Sequence, residues 1–135
     1  MNRRMLRRDR DGATAVEFAL LAPVFLGMIF SLIEGGRMLW IKQTLAEVAF
    51  STARCMSVSV ACDTEAKQKG YALTRAAGYG QTLVATNVVP APNTTCNGTA
   101  GMSQVTITTA FNSPVTGLLP ILPSTVSGLG CFPKL

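Results

Sequence analysis

The side chains that could carry chemistry are few in this sequence, and their types exclude most catalytic schemes. Histidine is absent and no acidic residue follows Glu65, so the usual general base and paired carboxylates are missing from the second half. The four cysteines have 6, 33 and 34 residues between them, which is not the spacing of a zinc knuckle. We therefore predict no enzyme activity, no metal or other cofactor and no small-molecule substrate. The cysteines are Cys55, Cys62, Cys96 and Cys131.

Charge is concentrated near the N-terminus. The formal net charge is +5, but five arginines lie within residues 1–12 and only Lys134 is charged within residues 76–135. No basic patch is interleaved with aromatic residues, so we expect no nucleic-acid binding. Basic residues before an apolar run follow the positive-inside rule, which predicts a cytoplasmic N-terminus and export of the remainder.

An apolar segment follows these arginines. The 21 residues from Ala13 to Ile33 carry one charge, on Glu17. At about 1.5 Å per residue they span about 30 Å, the thickness of the hydrocarbon core. We expect a basic cytoplasmic leader over 1–12, a single transmembrane helix over 13–35 bent at Pro23, and an exported head over 36–135. A cleaved secretory signal is the alternative, although no small-residue cleavage site follows the run.

Glu17 is unfavourable in this segment unless it has a partner. A carboxylate at the bilayer centre costs about 2.5–3.5 kcal/mol on insertion scales. Snorkelling toward the cytoplasmic edge, or protonation, is one explanation. The sequence around it, GATAVEF over residues 12–18, offers another, because a glycine precedes Ala13 and the acid is the fifth residue counted from Ala13.

This stretch resembles the processing site of type IV pilin-like proteins, and the pair Glu17–Phe18 is typical of their Tad/Flp branch. Residues 15–54 resemble the TadE-like family specifically; residues 105–123 and the closing SGLGCFP resemble it more loosely. The resemblance implies cleavage between Gly12 and Ala13 by a prepilin peptidase. It also implies that Glu17 neutralises the new α-amine of a neighbouring subunit. At an effective dielectric of about 20, unit charges 4 Å apart attract by about 4 kcal/mol, which offsets burial.

The resemblance also implies partners and a location. The partners are other pilins or pseudopilins, pilus assembly platform proteins, the prepilin peptidase and membrane lipid. The location is a bacterial inner membrane with the head in the periplasm, or an extracellular pilus. Ala13 stands where many type IV pilins have an aromatic first residue, which leaves N-methylation open.

Small residues recur every four positions along the apolar segment. Such a stripe lets helix backbones approach closely in lipid. Ala15 and Ala19 lie about 160° around the helix from Glu17, so the segment can contact neighbours on two sides. The ordinary frequency of small residues in transmembrane helices is the alternative explanation. The stripe comprises Ala15, Ala19, Pro23, Gly27, Ser31 and Gly35.

The helical pattern continues past the apolar segment, and strands follow it. Apolar positions spaced 4-3-4-3 from Ile41 to Cys55 predict one helix from Ala13 to about residue 56. Asp63 is expected to cap a second helix over 64–77. We predict an α+β, pilin-like fold: a long N-terminal transmembrane helix continuing into a small head with a second helix and a short antiparallel β-sheet. The strands are predicted over 82–89, 103–111 and 124–132, with a loop between the first two; residues 117–123 form either a satellite core cluster or a partner surface.

The even number of cysteines on the exported side predicts disulfides. In a continuous helix Cys55 and Cys62 would be about 10 Å apart, but a break at SVSVA lets the chain turn back and join them. Cys96 precedes one predicted strand and Cys131 ends another, so these two can meet. We expect the pairs Cys55–Cys62 and Cys96–Cys131.

Three functional hypotheses follow. The first is a minor pilin-like component of a Tad/Flp pilus, inserted in the inner membrane and contributing to initiation or assembly through helix packing. The second is an uncleaved bitopic membrane anchor whose periplasmic head binds other components of the pilus or secretion machine. The third is a secreted adhesive domain released by signal peptidase. Intact mass distinguishes them, because they predict 123 residues, 135 residues and a shorter product.

Overall fold

The computed structural model describes residues 3–114 and 123–134, with side chains from residue 12 onward. The helices are α1 (Arg3–Val58) and α2 (Glu65–Gly78), and short 3-10 turns lie at Val60–Cys62 and Ala85–Asn87. The strands are β1 (Val88–Cys96), β2 (Thr99–Ala110) and β3 (Thr125–Pro133), and they form an antiparallel sheet in the order β1-β2-β3. The predicted α+β fold is confirmed. Most of the apolar stretch 117–123 lies outside the described residues.

The chain divides into two compact units, which we call the N-terminal segment (Met1–Gly36) and the head (Arg37–Leu135). The N-terminal segment is helical from Arg3, so the helix begins ten residues before the predicted start at Ala13. Helical propensity explains the extension, since residues 3–10 are arginine, methionine and leucine apart from Asp9.

The first strand is placed differently from its prediction over 82–89. Residues 81–84 are irregular, and β1 covers most of the stretch that we predict as a loop. Pro90 and Pro92 are tolerated because β1 is an edge strand, where one side of the backbone needs no partner. Asn97 and Gly98 have φ angles of +49° and +82°, as a two-residue hairpin turn between twisted strands requires.

Helix α2 begins one residue later than predicted and is capped by a different residue. Thr64 has extended backbone angles, and its hydroxyl accepts a hydrogen bond from the Lys67 amide at 3.4 Å, so Asp63 is not the cap. Asp63 instead pairs with the Lys67 ammonium at 2.8 Å. The hydrogen bond from Lys67 lowers the pKa of the Asp63 carboxyl below its usual 3.8.

The core of the head lies between α1, α2 and the inner face of the sheet. The predicted helix face is confirmed, because Leu45, Val48 and Thr52 are fully buried and Cys55 is nearly so. Val88, Ile107 and Gly128 occupy one inner row across the three strands, and Pro90, Val105 and Gly130 occupy the next. The other buried apolar side chains include Ala49, Ala53, Ala72, Ala76, Leu83, Phe111 and Val126.

Two glycines on β3 allow the strand to lie directly against the backbone of α1. A Cβ atom at Gly128 would overlap the backbone of Leu45 and Ala46 and lie 2.7 Å from the Leu45 Cβ. A Cβ atom at Gly130 would overlap the backbone of Ala49 and Phe50. Neither glycine has a positive φ, so close approach, rather than backbone conformation, requires glycine here.

Candidate assembly segment and disulfide-bonded head

Gly12 and Ala13 lie inside α1, well after its first residue. Gly12 is exposed, and a Cβ atom built on it would have no neighbour within 4 Å. Glycine in a helix interior lowers local helix stability by about 0.5–1 kcal/mol relative to alanine. The helix is therefore easier to unwind at this peptide bond than at its neighbours.

Glu17 is an isolated charge on an apolar helix. Its side chain is exposed, and no ion pair or hydrogen bond joins it to another residue in the described part of the chain. Helical geometry places it on the same face as Leu21 and Val24, which are 68% and 73% exposed. The carboxylate therefore depends on solvent, headgroups or another molecule for a counter-charge.

The small-residue stripe lies on the same helix. Ala15, Ala19 and Gly27 are exposed, whereas Ser31 and Gly35 are half-buried. The hydroxyl of Ser31 donates a hydrogen bond to the Gly27 carbonyl at 2.7 Å, so this polar group is satisfied within the helix. The segment around the stripe is long and apolar enough to cross a membrane. Its exposed large side chains include Val16, Phe18, Leu20, Leu21, Val24, Phe25, Leu26, Met28, Phe30, Leu32 and Ile33.

The region that contains these features matches the model of a known protein family. Residues 12–54 match the family model described as TadE-like protein. The match begins at Gly12, contains Ala13 and Glu17, and covers just under a third of the chain. The predicted TadE-like resemblance is thereby confirmed over this region, and the match indicates a component associated with the Tad pilus and its proteins. No curated protein and no solved structure was found to match the chain.

The head contains two disulfides, Cys55–Cys62 and Cys96–Cys131. Cys55 and Cys62 have their Cα atoms 5.7 Å apart, because α1 ends at Val58 and the chain turns through the 3-10 helix. Ser59 starts that turn, and its hydroxyl accepts a hydrogen bond from the Ala61 amide at 3.2 Å. The bridge fixes the end of α1 to the segment that leads into α2.

The second disulfide joins β1 to β3 although β2 lies between them. The Cα atoms of Cys96 and Cys131 are 6.4 Å apart, less than the spacing of about 9.6 Å between next-nearest strands. The pairing register of β1 with β2 shifts on both sides of Thr94, and Asn93 has a φ of +56°. Such irregularities bend the end of β1. Such a bend explains how Cys96 comes close to Cys131 and is buried.

Removing the Cys96–Cys131 bridge is expected to destabilise the head more than removing Cys55–Cys62. The bridged residues are 35 apart in one case and 7 in the other, so the chain-entropy model gives about 4 and about 2 kcal/mol. Each double alanine variant of the full chain in detergent can be unfolded with urea, with hydrogen exchange of β2 peptides as the readout. Equal midpoints for the two variants would contradict the loop-length argument, and a Cys62–Cys96 peptide in a non-reducing digest would contradict the pairing.

Sequence reasoning missed two features of the head. The close approach of β3 to α1 was signalled only by the G-x-G of SGLGC within a predicted strand. No sequence pattern predicted the cleft that Arg54 and Arg75 both line, because this cleft depends on how α2 packs on α1. No group of cysteine and acidic residues suited to a metal ion occurs among residues 12–114 and 123–134, whose side chains the structure describes.

Proposed function

We propose that this chain is a minor pilin-like component of a Tad/Flp pilus that is inserted in the inner membrane and contributes to pilus initiation or assembly. The TadE-like match supports the association with a pilus. The apolar helix supports membrane insertion. In this proposal a prepilin peptidase cuts after Gly12, and α1 then packs against other pilins through its apolar surface.

The observation that carries the proposal is Glu17, which lies five residues after Gly12, is exposed, and has no ion pair or hydrogen bond within the described residues. A new α-amine on Ala13 of a neighbouring subunit supplies the missing positive charge. Pairing converts a carboxylate that is unfavourable in lipid into a contact that forms only on assembly. The neighbouring subunit is therefore selected by charge as well as by packing.

One observation favours a second candidate, an uncleaved bitopic anchor whose head binds other pilus components. Helix α1 runs without interruption through Gly12 and Ala13. A peptidase acts on an extended chain, so at least one helical turn has to unwind before cleavage. In an uncleaved anchor that helix simply persists, and Glu17 is then a snorkelling acid near the membrane edge.

Intact mass of the protein from cells with an active prepilin peptidase tests the proposal. We expect a chain of 123 residues that begins at Ala13. Replacing Gly12 with leucine should leave the 135-residue form in the membrane, because a bulky side chain hinders entry into the peptidase and strengthens the helix.

Gly12→Ala is the matched control, because alanine also favours the helix but adds only a methyl group. We expect it to be processed more slowly than wild type and faster than Gly12→Leu. Recovery of wild-type protein that retains Met1 or Asn2, with the peptidase shown to process another substrate, would contradict the proposal and favour the anchor.

A further inference from the structure

A cleft between α1 and α2 contains two arginines and no acidic residue. Arg54 of α1 and Arg75 of α2 both line this cleft, whose volume is about 380 Å³. Both side chains are exposed, and neither has an ion pair or hydrogen bond within the described residues. Two guanidinium groups in one cleft repel each other, and each presents planar donors that match a carboxylate. The cleft is therefore suited to an anion.

The walls of the cleft are held by contacts between the two helices. Ser51 and Arg54 are three residues apart on α1, and Tyr71 and Arg75 are four apart on α2, so each pair lies on one helix face. The oxygen atoms of Ser51 and Tyr71 are 3.0 Å apart. One hydroxyl donates to the other, which leaves the second hydroxyl proton available to a ligand. The Cys55–Cys62 disulfide further restricts the relative movement of the two helices.

The acids of the head supply one candidate for the anion. Asp63 pairs with Lys67 and Glu65 pairs with Lys69. Glu47 is exposed and has no ion pair or hydrogen bond within the described part of the chain. Glu47 and Arg54 are seven residues apart, so they lie on one face of α1 but about 10 Å apart along its axis. The two side chains do not pair with each other within one molecule.

We propose that the cleft binds the carboxylate of Glu47 from a second copy of this chain. A copy displaced along the axis of α1 by about two turns brings its Glu47 to the level of Arg54. Each contact uses the carboxylate of one copy and the arginine cleft of the other, so it is heterologous and joins two copies of the chain. The inference rests on the proposed pilus role, which brings copies of the chain close together in one membrane.

Photocrosslinking of the full chain in the bacterial membrane tests the contact. A benzophenone amino acid in place of Gln43 lies one helical turn from Glu47 and leaves the carboxylate intact; Gln43 is exposed. We expect crosslinks to peptides that contain Arg54 or Arg75. Co-expression of two copies that differ in an epitope tag shows whether the linked peptides belong to different chains.

Charge reversal separates an ion pair from a structural effect. Glu47→Arg should lower the crosslinked dimer at least fivefold, and Arg54→Glu with Arg75→Glu should do the same. All three changes in one chain should restore the yield to within twofold of wild type. Lys42→Glu is the matched control: Lys42 is exposed on α1 and does not line the cleft, so the yield should not change.

Failure of the triple variant to restore the dimer, or crosslinks confined to one chain or to lipid, would overturn the inference. Intact mass and membrane flotation of the same samples report the proposed function separately. An uncleaved chain with the crosslink supports the cleft contact and contradicts processing. A cleaved, membrane-inserted chain without the crosslink supports processing and contradicts the cleft contact.

Discussion

Replacing Gly130 with alanine is expected to reduce the free energy of unfolding of the head by about 3 kcal/mol or more. The added methyl group would overlap backbone atoms of Ala49 and Phe50. Backbone in the middle of a helix has no rotamer to change, so β3 has to move away from α1. Overpacking of a core typically costs about 1–3 kcal/mol even where side chains can adjust. Urea unfolding of the full chain in detergent, read by hydrogen exchange of β2, measures the change.

Gly70→Ala is the matched control for this substitution. Gly70 lies inside α2, a Cβ atom there would have no neighbour within 4 Å, and its φ is not positive. The alanine should therefore stabilise the head by about 0.5–1 kcal/mol through helix propensity. A Gly130→Ala variant that unfolds at the wild-type urea midpoint would contradict the close contact between β3 and α1.

Glu17→Gln is expected to abolish assembly into a pilus while leaving membrane insertion intact. Glutamine has nearly the same shape but provides no charge for the α-amine of a neighbour. Breaking a buried ion pair on one side costs about 3–5 kcal/mol, which corresponds to a fall in association of at least 100-fold. Glu17→Asp should be intermediate, because it keeps the charge and shortens its reach. Sheared surface fractions and membrane fractions can be compared by quantitative immunoblot.

Glu65→Gln is the control for loss of one negative charge. Glu65 is exposed and, within the described residues, pairs with Lys69 on the same helix, so removing its charge should leave assembly unchanged. If the Glu17→Gln variant enters the pilus at the wild-type level, Glu17 has no assembly role. Snorkelling toward the membrane edge would then be the better explanation of its position.

Local patterns predicted the helices well because helix formation depends on nearby residues. The 4-3-4-3 spacing from Ile41 to Cys55 identified the buried face of α1. The end of the helical pattern at SVSVA predicted a turn between Cys55 and Cys62. The Asn97–Gly98 pair was the available signal for the β1–β2 hairpin. The composition of residues 90–101 predicted a loop instead, although proline is excluded only from central strands and not from an edge strand.

Features that depend on packing could not be predicted in the same way. Gly128 and Gly130 are essential only because α1 lies against β3 at these residues. Arg54 and Arg75 are 21 residues apart in the chain and share a cleft only because α2 folds back beside α1. For the N-terminal segment, the residue types of Gly12 and Glu17 supplied the whole hypothesis. The structure adds that Glu17 has no ion pair or hydrogen bond within the described part of the chain.

The Cys96–Cys131 bridge has a mechanical consequence for any assembly that bears load. When α1 and β3 are pulled apart, tension passes from β1 to β3 through the sulfur–sulfur bond and bypasses β2. The 35 residue steps between the two cysteines would otherwise lengthen the chain by about 120 Å when extended. In the oxidised head the disulfide prevents this extension, so the head lengthens far less under force than a reduced head of the same sequence.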